Sequence, residues 1–352
     1  MGAVEVDKPV RRRVLFHTEY HSCYNNPMIN NSITDVPGIL VGNAENKDAG
    51  TGCTVILYTD GAVAGVDVRD GAPGTHSTSA LDPVNLVSKA HAIFLGGGSA
   101  YGLGGISGVM QYLEEQGYGF DVGVGVVPIV PGAILFDLPV GRADVRPDNA
   151  MGYQACLNAT DNLTETGNIG AGTGASVGKI KGCDLCMKGG LGTASRKIGD
   201  LIVGAIVAVN CYGDIIDPKT GNIIAGVLSE DKKRFAGTMN IISSVAKGSD
   251  NAFAGNTTIG CIATNANFTK AGATKVAMMA HDGFARAINP IHTMFDGDTI
   301  FCMATGQVES DPTTVGAIAA EVMTEAILNG IKAAESAYGI PGYKEIQKGM
   351  GL

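Results

Sequence analysis

The chain has 352 residues, of which 45% are hydrophobic and 17% are charged, so it can bury a sizeable core in one large domain or two ordinary ones. Its formal net charge of −9 argues against a nucleic-acid partner, because binding phosphates needs a concentrated basic surface. The basic cluster at residues 11–13 precedes an apolar stretch too short for a signal peptide, and no uninterrupted apolar run approaches a membrane span.

These features predict a globular protein of the cytoplasm with no membrane partner. The chain has eight cysteines, and only Cys183 and Cys186 form a close pair. A lone Cys-x-x-Cys pair without a second pair or a histidine cluster indicates zinc only weakly. We therefore expect reduced thiols, no metal and no other cofactor.

The first half of the chain is predicted to mix short strands with helices. Residues 1–31 are expected to be an irregular N-terminal segment, and β-like runs separated by Gly and Pro follow at residues 53–58, 62–68, 92–95 and 122–130. Helical spacing of apolar residues predicts one helix over Leu103, Ile106, Met110 and Leu113 that ends before Gly117, and another around Ala155.

The second half begins with an apolar run at residues 201–209, which is typical of a strand covered on both faces. Residues 229–256 are polar, charged and small, so they are predicted to be a linker. A strand at 258–264, a helix at 270–288, a strand at 299–304 and a long helix capped by Thr313 or Thr314 follow, the last with an apolar stripe of Val315, Ile318, Val322, Met323, Ile327 and Ile331. Because several strands follow one another directly, the pattern favours an α+β layered sandwich.

The junction between this linker and the next strand is the strongest chemical signal. A flexible Gly255-Asn256 pair leads into Thr257, which opens the apolar run. If the bond before Thr257 were cut, one residue would carry both a nucleophilic hydroxyl and an α-amine of pKa roughly 7.7 to 8.0, suited to a general base. The alternative is a turn dipeptide followed by an ordinary strand opener.

Two glycine-rich segments resemble phosphate-binding loops but fail the spacing. The first, at residues 96–102, contains Gly98, Ser99 and Tyr101 between a predicted strand and helix, yet no G-x-G-x-x-G can be placed there. The second, at residues 171–179, has Thr173 where a P-loop needs Gly and Ile180 where it needs a hydroxyl. Tight turns explain both segments better than nucleotide binding.

Several polar residues are candidates for a site, each with an ordinary alternative. Lys179 follows small residues and either points into a cleft or lies on the surface, and Asn210 ends the apolar run as an oxyanion donor or a turn residue. Asp296 and Asp298 share one face of an extended segment and could hold an ammonium, unless they form a solvated turn. His292 could act as a base, but nothing in its local sequence singles it out.

Segments in order along nearly the whole chain resemble the L-aminopeptidase/D-esterase family of self-processing, N-terminal-nucleophile-type hydrolases, and within it the nylon-oligomer hydrolases. The matching segments are residues 33–38, 71–75, 97–103, 170–174 with 178–179, 255–258, 290–293 and 296–299.

The resemblance implies a four-layer αββα sandwich forming a single hydrolase domain. It implies cleavage between Asn256 and Thr257, with residues 229–256 as the processing linker. The products would be an α chain, which contributes residues 32–256 of the domain, and a β chain of residues 257–352. The two chains would stay associated, and the processed units would form a homotetramer. Small peptides, amides or ω-amino-acid oligomers would be the substrates.

By resemblance, Thr257 is the nucleophile, Asn210 and Lys179 line the site, and Asp296 and Asp298 support the new amine. The substrate or oxyanion vicinity would include Gly98, Ser99, Tyr101 and Phe136, the last where such hydrolases can carry a Tyr. Two other functions stay open at this point: an acyltransferase similar to the ornithine acetyltransferases, and a non-catalytic protein that binds a small anion.

Overall fold

The computed structural model describes residues 29–244 and 255–351, so most of the predicted N-terminal segment lies outside the described residues. The helices of the described part are α1 (Gly105–Glu115), α2 (Asn149–Leu157), α3 (Thr238–Ser244), α4 (Lys270–Ala287), α5 (Pro312–Ala333) and α6 (Tyr343–Met350). Its strands are β1 (Leu40–Asn46), β2 (Thr51–Val68), β3 (Thr75–His76), β4 (Lys89–Gly96), β5 (Phe120–Asp121), β6 (Val126–Val127), β7 (Gly132–Ile134), β8 (Ser176–Val177), β9 (Met187–Lys188), β10 (Gly190–Ile198), β11 (Leu201–Asn210), β12 (Asp214–Ile216), β13 (Ile223–Ala225), β14 (Thr257–Ala266), β15 (Ile288–Asn289) and β16 (Thr299–Val308).

The largest sheet of the described part contains nine strands in the order β10-β11-β14-β16-β2-β4-β7-β3, with β1 also paired to β2. The pairs β14/β16 and β4/β7 are parallel, while the other pairs in this sheet are antiparallel. The fold is therefore mixed α/β with a mixed sheet, in line with the expectation that strands follow one another without regular βαβ alternation.

Strand β2 connects the two halves of the sheet. Its first part, residues 51–57, pairs with β1, whereas residues 63–68 pair with β16. The ladder to β4 shifts register between Leu57 and Ala62, around Gly61 at φ +76°, a conformation that glycine adopts without strain. The two strands predicted at 53–58 and 62–68 are thus one strand with an irregularity.

The apolar core of the described part has three large clusters and a small fourth one that contains Val140, Cys186 and Ile340. Helices α4 and α5 cover one face of β11, β14 and β16 through residues such as Val207 and Val322. The opposite face contributes Ile206 and Phe301 to an interior cluster, and α1 packs through Val109 on a third cluster at β2 and β4. Because β11 is covered on both faces, its run of apolar residues has no polar alternation, as predicted.

The exposed loop at residues 120–127 corrects one prediction. The run at 122–130 is not a strand, since only β5 and β6, two residues each, pair there. Gly123 and Gly125 both have positive φ, and Val124 is 97% exposed. The apolar residues reflect a surface hairpin rather than a core strand, because alternating glycines let the backbone turn instead of extend.

The long helix α5 confirms the predicted apolar stripe, whose six residues are all buried. Its N-cap is Asp311, not Thr313 or Thr314: Asp311 Oδ1 accepts from the backbone N–H groups of both threonines. By length and composition alone α5 is long and apolar enough to cross a membrane, and Glu321 and Glu325 interrupt its apolar run. However, 61% of its most apolar window is buried inside the fold, as in a core helix.

Two further segments differ from the sequence picture. The predicted linker at 229–256 contains α3, while residues 245–254 lie outside the described residues. Strand β10 was not predicted; it forms a hairpin with β11 through Gly199, whose φ is +59°. Its many small residues do not show the apolar pattern that is typical of a strand. The close approach of α5 requires small residues here, because a Cβ on Gly192 would lie 2.0 Å from the Ala326 carbonyl oxygen.

Candidate active site

Thr257 is the first residue of β14, and the strand register decides its neighbours. In the antiparallel ladder with β11, Thr257 lies opposite Asn210, the last residue of that strand. The Thr257 side chain is buried, and its hydroxyl donates a hydrogen bond to the Asn256 carbonyl oxygen. A Cβ on Gly297 would lie 3.0 Å from Thr257 Oγ1, so the Asp-Gly-Asp segment passes directly beside the hydroxyl.

Lys179 lies against both Asn210 and the residue two before Thr257. Its Nζ donates to Asn210 Oδ1 at 2.8 Å, to the Asn210 carbonyl at 3.1 Å and to the Gly255 carbonyl at 3.2 Å. These three acceptors match the three donors of an ammonium, although burial lowers the pKa of Lys179. Lys179 is therefore a buried cation beside the Asn256-Thr257 bond, not a surface lysine.

The side-chain amide of Asn210 is oriented by its partners. Oδ1 accepts from the Ser176 backbone N–H at 3.0 Å as well as from Lys179, which leaves Nδ2 to donate to the Phe136 carbonyl at 3.1 Å. Asn210 therefore lies opposite Thr257 and in contact with Lys179, fully buried inside the ladder rather than in a turn.

The residues just before Thr257 fill the space in front of it. The half-buried Phe136 ring lies against Gly255 so closely that a Cβ on Gly255 would be 2.3 Å from the ring. The Asn256 backbone N–H donates to the Phe295 carbonyl at 3.2 Å. Phe136 has no hydroxyl to contribute, but its ring contacts the Gly255-Asn256 segment and its carbonyl orients Asn210.

Asp298 is placed by the parallel register of β14 and β16. Because Ile259 lies opposite Thr299, the preceding residues Thr258 and Asp298 are also neighbours. The Thr258 N–H donates to Asp298 Oδ1 at 2.7 Å. A buried acidic side chain is thus fixed at the residue that follows Thr257.

Asp296 is also buried, but its partners differ. It accepts from the Thr293 hydroxyl at 2.5 Å and from the backbone N–H groups of Thr293 and Tyr212 at 3.2 and 3.3 Å. Burial nevertheless raises its pKa. Neither Asp296 nor Asp298 lies in a solvated turn; Asp296 orders the loop before β16, whereas Asp298 faces β14.

Behind Asp298, away from Thr258, lies a cluster with His292 and Asp70. His292 Nδ1 is 3.0 Å from Asp298 Oδ2 and 3.0 Å from Asp70 Oδ1. Burial alone would lower the pKa of His292, yet the two carboxylates raise it to about 9. The Asp298 backbone N–H donates to Asp70 Oδ2 at 2.8 Å, which completes the cluster.

This cluster is where the expectation of no metal can be tested, because its three donor atoms lie within 4.8 Å of one another. The second candidate for a metal site is the cysteine pair Cys183 and Cys186. It lies on the short turn after Lys179, where the Cys186 thiol donates to the Cys183 carbonyl at 3.1 Å.

The glycine-rich loop at residues 96–102 reaches the site only indirectly. The Gly98 N–H donates to the buried Asp137 carboxylate at 2.6 Å, and both Gly98 and Ser99 have positive φ, so the loop is a tight strand-to-helix turn. Tyr101 is 64% exposed and its ring stacks under the Arg146 guanidinium, 4.0 Å from the ring centroid. Within the described residues, Tyr101 forms neither a hydrogen bond nor a ring contact with Thr257.

The fold therefore gathers Thr257, Asn210, Lys179, Asp298 and Phe136 around one peptide bond. Asp296 lies behind that group, and Gly98, Ser99 and Tyr101 form a separate turn. Sequence reasoning missed Asp70, which precedes Gly71, and Asp137, which lies two residues before Pro139. An aspartate close to Gly or Pro is typical of a turn, so no local signal sets these two apart.

Comparison with known proteins finds relatives along most of the chain. The sequence model of peptidase family S58 matches residues 31–345. An uncharacterized aminopeptidase of Mycobacterium tuberculosis is 42% identical over 349 residues, which cover 91% of this chain and 98% of the relative. The 6-aminohexanoate-oligomer endohydrolase of Kocuria sp. is 32% identical over 322 residues, which cover 85% of each chain.

A solved structure supports the fold. The L-aminopeptidase D-Ala-esterase/amidase of Ochrobactrum anthropi, whose description assigns it a variant of the Ntn hydrolase fold, matches with a TM-score of 0.65 at 18% identity over 92% of this chain and 94% of the other. The sequence matches and the shared fold make this protein a hydrolase that acts on peptide or amide bonds. The chain belongs to peptidase family S58.

Proposed function

We propose that this hydrolase cuts its own chain between Asn256 and Thr257 and then uses Thr257 as an N-terminal nucleophile. The observation that carries the proposal is the Thr257 hydroxyl, buried at the start of β14 and directed at the carbonyl of the preceding residue. Lys179 and Asn210 lie on one side of this bond and Asp298 on the other. A strand opener with only a structural role needs none of these neighbours.

In the maturation step, Thr257 Oγ attacks the carbonyl carbon of Asn256. The bond from that carbon to the Thr257 nitrogen breaks, an ester to Oγ forms, and the hydroxyl proton ends on the released amine. Water then hydrolyses the ester, leaving a carboxylate on Asn256. The contacts of Lys179 with Gly255 and of Phe295 with Asn256 support this step, because they hold the reacting peptide in one orientation.

In turnover, the Thr257 amine takes the hydroxyl proton while Oγ attacks the carbonyl carbon of a substrate amide. The carbon–nitrogen bond of the amide breaks, the substrate amine leaves with that proton, and water hydrolyses the acyl ester to release the carboxylate and restore the Thr257 hydroxyl. Asn210 Nδ2 carries two hydrogens, of which one is bound by the Phe136 carbonyl. The second is the one we assign to the developing oxyanion, with the Lys179 ammonium adding positive charge. The Asp298 carboxylate holds and orients the amine.

The architecture in this proposal is a four-layer αββα sandwich of two chains, residues 1–256 and 257–352. The three large apolar clusters support it, because four layers create three interfaces. The chains would stay associated after the cut, since β14 remains hydrogen-bonded between β11 and β16. A homotetramer of processed units belongs to the same proposal, and the free thiols of the described cysteines support a cytoplasmic location.

Small peptides, amides or ω-amino-acid oligomers are the proposed substrates. The names of the relatives, an aminopeptidase and a 6-aminohexanoate-oligomer endohydrolase, support this range. The narrow space between the Phe136 ring and Gly255 supports an unbranched chain next to the scissile bond. The departing Gly255-Asn256 segment would vacate that space for the substrate.

The test is to purify the protein and follow it by intact mass and N-terminal sequencing of the small fragment. We expect two fragments, the smaller starting at Thr257, and hydrolysis within a panel of aminoacyl amides, β-peptides and 6-aminohexanoate oligomers. A different N-terminus on the small fragment contradicts the mechanism. Acyl transfer to an added amine instead of hydrolysis would favour the acyltransferase function. An uncut and inactive chain would favour the non-catalytic binding protein.

Asp298→Asn should slow both maturation and turnover, by about tenfold or more. The change keeps the shape and the contact with the Thr258 N–H but removes the charge that holds the new amine, so the pKa of that amine should fall. Rates of self-cleavage and of amide hydrolysis between pH 6 and 9 check this. If the variant matures and turns over like the parent across this range, Asp298 is only a turn residue.

A further inference from the structure

The cluster behind Asp298 has a geometry that the proposed chemistry has not used. His292 Nδ1 lies between two carboxylate oxygens, 3.0 Å from Asp298 Oδ2 and 3.0 Å from Asp70 Oδ1. The side chains of both aspartates are fully buried, and that of His292 is 20% exposed. Two buried carboxylates this close repel each other strongly unless a positive charge or a proton lies between them.

The remaining atoms of both carboxylates point toward the backbone. Asp298 Oδ1 accepts from the Thr258 N–H, and Asp70 Oδ2 accepts from the Asp298 N–H. These two bonds connect Asp70, Asp298 and β14 in series. Any rearrangement between Asp70 and His292 therefore changes the position or the charge of the carboxylate beside Thr257.

We propose that His292, held as an imidazolium between Asp70 and Asp298, is a positioning residue that keeps Asp298 ionised and directed at the Thr257-Thr258 segment. The inference rests on the proposed function, because Asp298 acts there through the amine of Thr257. His292 touches no reacting atom, so it is not the general base. Its backbone, at φ +59°, lies in the left-handed region that non-glycine residues rarely adopt.

Of the two neighbouring histidines, His292 is the one that lies between two carboxylates. The His281 ring packs edge-on at 4.8 Å and is neutral, because burial lowers the pKa of His281 to about 4. The Asp67 carboxylate lies 3.8 Å from His281 Nε2 and is paired with Arg69 at 2.7 Å. The pKa of Asp298 is raised by burial and by the nearby Asp296 and Asp70 carboxylates. His292 opposes this rise.

His292→Gln removes the charge and keeps a polar side chain of similar length. We expect the kcat/KM of the cut enzyme to fall about tenfold at pH 7, because Asp298 then takes up a proton. Above pH 9 the parent also has a neutral residue 292, since the pKa of His292 is about 9. The ratio of parent to variant should therefore fall toward one as the pH rises through about 9. A purely structural role for His292 predicts a ratio that does not change with pH.

Asp70→Asn is the second variant, and it is informative even if His292→Gln does not fold. Removing one of the two carboxylates lowers the pKa of His292, so the alkaline limb of the profile should move to lower pH than in the parent. Lys179 also has a lowered pKa, but Asp70→Asn leaves its three acceptors in place. An unchanged alkaline limb in Asp70→Asn would overturn the proposal.

His281→Gln is the matched control, a change at a neighbouring buried histidine that is neutral throughout the assay. It should alter thermal stability but not the shape of the pH profile.

The remaining alternative is that the cluster binds a metal ion. Kinetics of the parent after dialysis against EDTA, with and without added Zn²⁺, test this alternative. Activity lost to EDTA and restored by Zn²⁺ would overturn the proposal and make the cluster a metal centre; activity unchanged by EDTA supports the imidazolium.

The measurements use the amide of the substrate panel that the parent hydrolyses fastest, with β-alanyl p-nitroanilide as the first probe. Failure of the proposed function is distinguishable from failure of this inference. If the parent neither cuts itself nor hydrolyses any amide, the proposed function fails. If the parent is active but the parent-to-variant ratio is flat with pH, only the role of His292 is wrong.

Discussion

Thr257→Ala should leave the protein as a single folded chain of 352 residues without amide hydrolysis. The hydroxyl is the only group of Thr257 that can attack, first the Asn256 carbonyl and later the substrate, so both steps lose their nucleophile. Folding should persist, because the variant keeps the β14 ladders to β11 and β16. Gel electrophoresis, intact mass and circular dichroism check the result.

The matched control is Thr264→Ala, which removes another buried hydroxyl from the same strand. Thr264 Oγ1 donates to the Ile202 carbonyl at 2.9 Å, far along β14 from the cleavage point. The control should lose about 1 to 3 kcal/mol of stability by leaving that carbonyl unpaired, yet it should still cut itself. Cleavage in Thr257→Ala, or none in Thr264→Ala, would speak against Thr257 as the specific nucleophile.

Lys179→Met should reduce kcat/KM by roughly 10² to 10³ and slow self-cleavage strongly. Methionine fills a similar volume but removes the cation that bonds Asn210 Oδ1 and the Gly255 carbonyl. Asn210 is then free to reorient, and the oxyanion loses nearby positive charge. Single-turnover kinetics on the refolded or slowly matured variant measure the effect separately from maturation.

Lys188→Met provides the comparison for the loss of a buried lysine as such. Lys188 is also fully buried, with its pKa lowered to about 8 by burial, and it donates to the carbonyls of Thr173 and Ala175 at 2.9 and 2.6 Å. Its removal should destabilise the fold without abolishing cleavage. If the two methionine variants lose activity equally, the effect of Lys179 is structural.

The core elements with a long, regular pattern could be predicted from the sequence. Helix α5 and strand β11 carry enough apolar residues in sequence for burial to dominate every other preference. The prediction of a strand at 122–130 was wrong, because apolar composition does not distinguish a buried strand from an exposed hairpin when glycines alternate with valines. Strand β10 was not predicted, because its small residues have low strand propensity. They are required instead by the close packing of β10 against α5.

For the site, the sequence by itself determined which chemistry was available: a threonine after a Gly-Asn pair, a lysine after small residues, an asparagine at a strand end and paired aspartates before a strand. Only the tertiary structure decided which of these meet. Asn210 reaches Thr257 through an antiparallel register and Asp298 reaches Thr258 through a parallel one, and a shift of one residue would turn either side chain away. Asp70 and His292 are more than two hundred residues apart in the chain, so local sequence carries no sign of their contact. They meet because β2 ends beside the start of the antiparallel strand β16, which brings the segment after β2 next to the segment before β16.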